Sequence, residues 1–417
     1  MQSLADWLHY QESLHPVEIE LGLERVRTVW QRLHAGPVPF FTITVAGTNG
    51  KGSSVAMLEA ILRAAGHTVG AYTSPHLLRY NERIRLDGEP VADETLIAAF
   101  ERVEQARADV PLTYFEFGTL AALDIFAREV PAVALLEVGL GGRLDAVNII
   151  DADIALITGI GIDHVDWLGH DRETIGHEKA GILRPGRPAV FAGDEMPASI
   201  AARASELDAP LAVAGRDFAA RCEGDSLIWH GGAGERSFPR PALPGDHQCT
   251  NAGGVLAVLE RLPDALRPDA AAIAAGLRSV HLPGRYTVRA GDPRWILDVA
   301  HNPQGMAMLA AQLAGEPVPG RTFAIVGMLR DKAVAEAMGI LAPQVDHWLA
   351  CAPDSPRALP ATELAGVLEA LTPGAPVTIH DDVAAAVKQA RATAKPGDRL
   401  LVCGSFLTVA AAMAAGV

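Results

Sequence analysis

The chain has 417 residues, more than one hydrophobic core usually serves, so we expect two domains. Apolar residues make up 49% of it and charged residues 20%, which is typical of a globular protein and excludes a largely disordered one. The net charge of −15 argues against general binding to nucleic acid or to anionic membranes. A polyanionic ligand would therefore need a local site.

Cysteine usage and the two ends of the chain point to the cytoplasm. The cysteines are Cys222, Cys249, Cys351 and Cys403. None belongs to a C-x-x-C pair, so we expect reduced thiols and neither a zinc site nor a disulfide framework. The first ten residues lack the features of a signal peptide. The uncharged run 400–417 is interrupted by glycine and hydroxyl residues, and we interpret it as a buried strand and helix rather than a membrane span.

Strands alternate with helices through the first part of the chain. Short apolar runs predict strands at residues 40–46, 69–72, 131–138 and 153–158. Helical periodicity is found at residues 53–65, 95–108 and 119–128. The strands at 131–138 and 153–158 are continuously apolar, as expected of strands buried on both faces. This βαβ pattern predicts a mostly parallel sheet.

The pattern changes twice further along. Residues 188–240 are rich in Gly and Pro and suggest an antiparallel annex or long loops, before a helix that starts near Asn251. A turn-rich break at 281–285 precedes a second α/β series. Its strands are predicted at 295–299, 322–327, 347–351, 376–379 and 399–403. The predicted fold class is α/β, with a P-loop domain over residues 1–286 and a smaller Rossmann-like domain over 287–417.

The segment from Val45 to Ser54, V-A-G-T-N-G-K-G-S-S, is the sharpest local signal. It follows an apolar strand and opens a helix, which is the context of a phosphate-binding loop. Lys51 is placed to neutralise phosphate charge, and Ser53 or Ser54 to reach a magnesium ion. The extra Gly52 and the Val at position 45 depart from the common G-x-x-x-x-G-K-[ST] pattern.

Polar residues follow several of the predicted strands. Glu137 ends the run 132–136, His164 follows the next strand, and Ser74 follows the strand at 69–72. Ligands of open parallel sheets bind beyond the carboxyl ends of the strands, and oxygen ligands suit magnesium. Lys179 lies on the helix after His164. Lysine is scarce, with 5 residues against 30 arginines, and it can be deprotonated where arginine cannot.

A set of motifs in order along the chain resembles the folylpolyglutamate synthase and dihydrofolate synthase family of the Mur-ligase superfamily. The motifs are GTNGKGS (47–53), TSPHL (73–77), LTYFE (112–116), EVGLGGRLDA (137–146), DHVDWLG (163–169), EKAGI (178–182), LPGR (282–285), DVAHNP (298–303) and CGSF (403–406). The segments SLHP (13–16) and LGLER (21–25) resemble bacterial members that perform both reactions. The resemblance implies a Mur-ligase-like central domain for residues 1–286.

The resemblance also implies roles for residues of this chain. ATP-binding residues would be Thr48, Asn49, Gly50, Lys51, Gly52, Ser53, Asn251, Arg285, Asp298, His301 and Asn302. Metal ligands would be Ser53, Ser74, Glu137, His164 and a carboxylated Lys179, holding two Mg²⁺ ions. The pterin-side pocket would be lined by Ser13, Leu14, His15, Pro16, Thr113, Tyr114, Phe115, Glu116, Leu144, Asp145 and Ala146. Lys51, Lys179 and His164 would be catalytic.

The implied reaction is ATP-dependent amide ligation in folate biosynthesis. The γ-phosphoryl group of ATP would activate the carboxylate of dihydropteroate or of a reduced folate, and the amine of L-glutamate would then displace phosphate. We expect a monomer with no nucleic-acid or membrane partner.

Three alternatives stay open: a peptidoglycan-type ligase of the same superfamily, an ATPase or nucleotide switch without ligation, and a non-catalytic binding protein. Val147, Gly159 and the pair Gly253-Gly254 depart from the family pattern, which bears on substrate preference rather than on the reaction.

Overall fold

A computed structural model describes residues 3–17, 19–232 and 234–417, in two compact units. The first unit comprises the chain up to His76, Tyr80–Ala242 and Gln248–His281. The second comprises Leu77–Arg79, Leu243–His247 and Leu282–Val417. The division at residue 286/287 stays a prediction, and residues 1, 2, 18 and 233 of its first domain lie outside the described residues.

The first unit contains an eight-stranded sheet and a three-stranded sheet. The strands are β1 Phe41–Ala46, β2 Val69–Tyr72, β3 Ile84–Leu86, β4 Glu89–Pro90, β5 Val133–Glu137, β6 Ile154–Ile157, β7 Ala189–Phe191, β8 Leu211–Val213, β9 Ala219–Glu223, β10 Ser226–Gly231 and β11 Gly234–Pro239. The large sheet has the order β4-β3-β2-β5-β1-β6-β7-β8. It is parallel from β2 to β8, with β3 and β4 as an antiparallel edge.

The helices of this unit cover the large sheet. They are α1 Leu4–Ser13, α2 Glu24–Leu33, α3 Lys51–Ala64, α4 Asp93–Arg107, α5 Tyr114–Glu129, α6 Val165–Leu168, α7 Arg172–Ala180, α8 Ala198–Glu206, α9 His247–Leu259 (from Gln248 onward) and α10 Ala270–Ser279. Every residue of β2, β5 and β6 is buried, because strands of a parallel sheet pack against helices on both faces.

The second unit contains a six-stranded sheet. Its strands are β12 Thr287–Arg289, β13 Arg294–Leu297, β14 Thr322–Val326, β15 His347–Ala350, β16 Val377–Ile379 and β17 Arg399–Cys403. Its helices are α11 Pro303–Gly315, α12 Val334–Leu341, α13 Ala361–Leu371, α14 Val383–Thr393 and α15 Phe406–Ala414. The sheet order is β12-β13-β17-β14-β15-β16, and only the β12–β13 pair is antiparallel.

The predicted α/β class, with a large mostly parallel sheet and a smaller second sheet, is confirmed. The predicted annex at 188–240 starts later than expected, because β7 and β8 join the parallel sheet and only β9, β10 and β11 form a separate antiparallel sheet. Residues 400–417 form most of β17 and helix α15, as predicted. Among the described helices, none is long and apolar enough to cross a membrane.

The expectation of four reduced thiols is wrong for one pair. Cys222 of β9 and Cys249 of α9 form a disulfide, with their Cα atoms 5.9 Å apart. The two residues are 27 positions apart in the sequence, and they meet because β9 packs on α9, where Ala220 lies against Gly253. Cys351 and Cys403 are free and buried.

Candidate active site

The loop between β1 and α3 has the shape of a phosphate cradle. β1 lies in the middle of the sheet, and α3 begins at Lys51, directly after the loop. Gly47 and Gly50 have φ angles of +148° and +88°, which disfavour other residues. A Cβ on Gly47 would overlap the Thr158 hydroxyl, and one on Gly50 would overlap the Asn251 amide. The loop therefore presents backbone and a helix N-terminus, which together suit a phosphate group.

Residues that follow β6 hold this loop in place. The Thr48 amide donates to the Gly159 carbonyl at 2.8 Å, and the Thr48 hydroxyl donates to the Gly161 carbonyl at 2.9 Å. The Thr158 hydroxyl donates to the Asn49 carbonyl at 2.6 Å. Gly159 stands where the family commonly has Ser. Because Gly159 accepts through its backbone carbonyl, the hydrogen bond from the Thr48 amide does not depend on the side chain at this position.

Two lysine amines meet at one carbonyl oxygen in this loop. The Nζ of Lys51 and the Nζ of Lys179 each donate to the Gly47 carbonyl at 3.0 Å, and Lys51 also donates to the Thr48 carbonyl at 3.3 Å. Lys179, on α7, is 4% exposed. Burial and, next, the charge of Lys51 lower the pKa of Lys179 to about 7. This contact brings the Lys179 amine beside the phosphate loop.

The neighbour of Lys179 in the sequence does not neutralise it. Glu178 forms an ion pair with Arg143 at 2.8 Å, and its backbone carbonyl accepts from the Arg143 amide, also at 2.8 Å. The Lys179 amine instead points to the Gly47 carbonyl. The Glu178 carboxylate thus pairs with Arg143 rather than with the Lys179 ammonium.

Two of the predicted metal ligands, Ser74 and Glu137, are neighbours beside the strand that leads into the loop. Glu137 ends β5, is 5% exposed and lies in register with Val45 of β1. The Ser74 amide donates to the Glu137 carboxylate at 3.3 Å. Ser53 is buried in the first turn of α3. Carboxylate and hydroxyl oxygens are the donors that Mg²⁺ prefers. Among the described residues, no three His, Cys, Asp or Glu side chains converge as a metal site.

His164 lies on the other side of β1 from Glu137, because it follows β6 while Glu137 ends β5. It precedes helix α6 in a left-handed conformation, with φ of +52°. Its amide donates to the Asp163 carboxylate at 2.8 Å, and its Nε2 lies 4.0 Å from that carboxylate. A non-glycine residue at positive φ is uncommon and often marks a functional position.

Asp145 shapes the loop after β5. It is 3% exposed, and it accepts hydrogen bonds from the amides of Leu140 at 2.8 Å and Val147 at 3.1 Å. Burial raises its pKa to about 6, although backbone amides and Lys51 act in the opposite direction. Ala146 beside it is buried and Leu144 is half-buried. Asp145 thus positions this segment.

Several aromatic side chains and one arginine pack together near the predicted pterin-side residues. The Arg83 guanidinium lies 5.3 Å from the Tyr80 ring centroid and 5.6 Å from that of Tyr114, and the two rings meet edge to face. Phe115 packs at 6.0 Å from Tyr72. Sequence reasoning did not single out Tyr72, Tyr80 and Arg83, since they belong to none of the family motifs.

The segments 13–16 and 113–116 form local structures of their own. Thr113 and Glu116 form a capping box at the start of α5. Ser13 ends α1, and its hydroxyl donates to the Tyr10 carbonyl at 2.7 Å. Leu14 is half-buried, while Pro16 is exposed. His15 lies 3.0 Å from the carboxylate of Glu20.

Four predicted ATP-binding residues lie in the second unit, around the end of β13. Asp298 accepts from the amides of Tyr286 and Ala300, each at 2.8 Å, and burial raises its pKa. Asn302 caps α11. The Arg285 guanidinium lies 5.0 Å from the Phe406 ring, and the His301 ring lies 6.1 Å from it. The four residues are Arg285, Asp298, His301 and Asn302. Asn251 belongs to the first unit, where its amide lies against Gly50 of the phosphate loop.

Comparison with known proteins matches this arrangement along the whole chain. Residues 45–259 match the Mur ligase middle domain, and residues 284–406 match the Mur ligase glutamate ligase domain. The chain is 46% identical to the dihydrofolate synthase/folylpolyglutamate synthase of Escherichia coli, over 98% of this chain and 94% of that protein. The Haemophilus influenzae protein of the same name is 36% identical over 98% of this chain and 96% of its own length.

Solved structures of similar proteins lead to the same family. E. coli FolC in complex with DHPP and ADP superposes with a TM-score of 0.92 at 44% identity, covering 99% of this chain and 97% of that one. A bifunctional folylpolyglutamate synthase/dihydrofolate synthase with Mn, AMPPNP and L-glutamate bound gives 0.91 at 45% identity, covering 100% and 98%. Identity at this level over nearly the full length of both chains confirms the resemblance seen in the motifs. The chain belongs to the dihydrofolate synthase/folylpolyglutamate synthase family of Mur ligases.

Proposed function

We propose that this chain is an ATP-dependent ligase that joins L-glutamate by an amide bond to dihydropteroate and to reduced folates and their polyglutamates. The observation that best supports it is the meeting of Lys51 and Lys179 at the Gly47 carbonyl, inside a phosphate cradle. A phosphate loop alone serves many ATPases. A second, buried amine of lowered pKa beside it is a feature that simple hydrolysis does not require.

The phosphate loop would hold the β- and γ-phosphates of ATP. Its backbone and the N-terminus of α3 suit anionic oxygens, and Lys51 adds a compact positive charge. Thr48, Asn49, Gly50, Gly52 and Ser53 belong to the same turn. Asn251 lies against Gly50 and would contact the nucleotide from the adjoining helix.

Ser53, Ser74, Glu137 and His164 would hold magnesium, for which their oxygen-rich donor set is suited. When bound, Mg²⁺ offsets negative charge on the phosphate oxygens during transfer. Glu137 provides the buried carboxylate, and Ser74 is held next to it by its backbone contact.

Lys179 would carry a carbamate formed with carbon dioxide. Carbamate formation requires a neutral amine, and a pKa of about 7 makes that form abundant at neutral pH. The new oxygens would replace a cation with an anionic metal ligand. Arginine cannot take this role, because its guanidinium stays protonated.

Tyr114 and Phe115, which are half-buried, would hold the flat pterin ring by stacking. The carboxylate of the pterin acid would accept the γ-phosphoryl group, with ADP leaving. The glutamate amine would then attack the acyl carbon, the carbon–oxygen bond to phosphate would break, and inorganic phosphate would leave. Arg285, Asp298, His301 and Asn302 of the second unit would contact ATP.

Release of ADP tests the function directly. The wild-type chain is incubated with ATP, magnesium and dihydropteroate or tetrahydrofolate, with and without L-glutamate, and the pterin product is identified by mass spectrometry. We expect fast ADP release and a glutamylated product only when both acceptor and glutamate are present. ADP release that ignores both substrates would instead indicate an ATPase or nucleotide switch.

We also propose that the protein is a cytoplasmic monomer, as expected from its sequence. The expectation is checked by fractionation and by light scattering.

A further inference from the structure

We propose that Arg25, together with Glu20, is a positioning residue that ties together the two chain segments of the pterin-side pocket. This inference rests on the proposed function, because it assigns residues 13–16 and 113–116 to that pocket. Neither Arg25 nor Glu20 belongs to the residues to which the family resemblance gave a role.

Arg25 holds the start of α5 through Glu116. Arg25 is the second residue of α2, and its Nε and Nη2 lie 3.2 and 2.9 Å from the same Glu116 carboxylate oxygen. The Glu116 side chain is 4% exposed, and its other oxygen accepts from the Thr113 amide at 2.8 Å. One carboxylate therefore caps α5 and binds Arg25, so the guanidinium fixes the orientation of the cap.

The same guanidinium holds the loop between α1 and α2. Its Nη2 donates to the Glu20 carbonyl at 2.8 Å, and its Nη1 forms an ion pair with the Glu20 carboxylate. The other oxygen of that carboxylate lies 3.0 Å from Nε2 of His15, whose side chain is 6% exposed. His15 also contacts the Val17 carbonyl through Nδ1, at 2.9 Å. The contacts thus run without a gap from His15 through Glu20 and Arg25 to Glu116.

The loop needs such a tether, because its described residues lie outside regular helices and strands. Ordering irregular backbone costs conformational entropy, and a ligand that had to order the loop would bind more weakly by that cost. Arg25 provides five donor groups in a planar arrangement and meets two carboxylates and a backbone carbonyl at once, which a lysine ammonium cannot reproduce. The proposed pterin-side pocket would therefore be ordered before the ligand binds.

The test compares Arg25→Ala and Arg25→Lys with Arg27→Ala. Arg27 lies two positions further on the same helix, is exposed, and serves as the matched control. ADP release is measured with dihydropteroate varied at saturating ATP and L-glutamate, and then with ATP varied. We expect Arg25→Ala to raise KM for dihydropteroate by roughly 10- to 100-fold, with KM for ATP within about twofold of wild type. Arg25→Lys should fall between, and Arg27→Ala should match wild type.

The Glu20→Gln variant is the second test, and it keeps the positioning role testable if Arg25→Ala does not fold. It removes the ion pairs but retains the backbone acceptor, so we expect a smaller rise in the same KM. Equal rises in KM for dihydropteroate and ATP, or an unchanged KM for dihydropteroate in folded variants, would overturn the positioning role. A wild-type chain without glutamate-dependent turnover would instead refute the proposed function, and the two failures are thus distinguishable.

Discussion

The lowered pKa of Lys179 gives a prediction that can be worked out from the structure. Its amine is buried, and its hydrogen-bond acceptor is a neutral carbonyl shared with Lys51. Burial disfavours the charged form, and the positive charge of Lys51 disfavours it further, so the pKa falls from 10.5 to about 7. We expect this one lysine to titrate near neutral pH in the folded protein.

The magnitude of the effect is large. At pH 7 about half of the Lys179 amines would be neutral, against about 0.03% for a lysine of ordinary pKa. The folded state also binds fewer protons than the unfolded state between the two pKa values, so stability rises with pH from about 7 to about 10.5. Between pH 7 and 9 this group alone would add about 2 kcal/mol to the free energy of unfolding.

The assay is an NMR titration of the lysine side chains, and the chain is suited to it because 5 lysines give few resonances. Protein labelled with ¹³C at the lysine Cε is titrated by NMR from pH 6 to 10 in buffer depleted of carbon dioxide, and Lys179→Met assigns the resonance. Lys388→Met, at an exposed position, is the control. We expect one midpoint near pH 7 that disappears only in Lys179→Met. Added ¹³C-bicarbonate should then give a carbamate signal that is absent from the same variant.

A folded wild-type protein in which no lysine titrates below about pH 9 would refute the lowered pKa of Lys179. Parallel gains in stability of the Lys179→Met variant and the wild type between pH 7 and 9 would refute it as well. A midpoint near 7 without a carbamate signal would retain the burial argument and exclude carboxylation.

Three further predictions concern the loop, the metal ligands and the disulfide. Lys51→Ala should lower kcat by roughly 10²- to 10³-fold with little change in the urea midpoint, because it removes charge rather than core volume; a stability loss of about 2–5 kcal/mol would indicate a structural lysine. Glu137→Gln and His164→Ala should each raise the magnesium concentration for half-maximal activity roughly tenfold, and unchanged titrations in both would exclude these ligands. The Cys222–Cys249 disulfide closes a loop across 27 positions, so oxidised protein should have a higher urea midpoint than reduced protein and a free energy of unfolding larger by up to about 3–4 kcal/mol. The Cys222→Ser variant should show no such difference, and equal midpoints for oxidised and reduced wild type would contradict the prediction.

The central part of the fold was predictable because its strands are long continuous apolar runs. β5 and β6 are buried along their whole length, and such segments stand out in the sequence. The shortest strands were not predictable in the same way. β4 has two residues and β7 has three, so no periodicity can be detected within them, and pairing with a neighbouring strand decides their conformation.

Some features of the candidate site could likewise be predicted from the sequence, and others could not. Lys51 and Glu137 could be placed because each is next to a strand end that the sequence marks. The hydrogen bond from Thr158 to the Asn49 carbonyl could not, since it joins residues 109 positions apart. The disulfide was missed for the same reason, because sequence spacing does not show that β9 lies on α9.

The distribution of lysine gains a physical explanation from the Gly47 carbonyl. Arginine outnumbers lysine 30 to 5 in this chain, yet the two side chains that meet at this oxygen are both lysines. A guanidinium beside Lys51 would remain charged under all physiological conditions, and two permanent cations in a buried turn would repel each other. Lys179 avoids this repulsion by losing its proton, and only as a neutral amine can it react with carbon dioxide. The same burial that makes an ammonium unfavourable at position 179 therefore prepares the amine for the chemistry proposed for it.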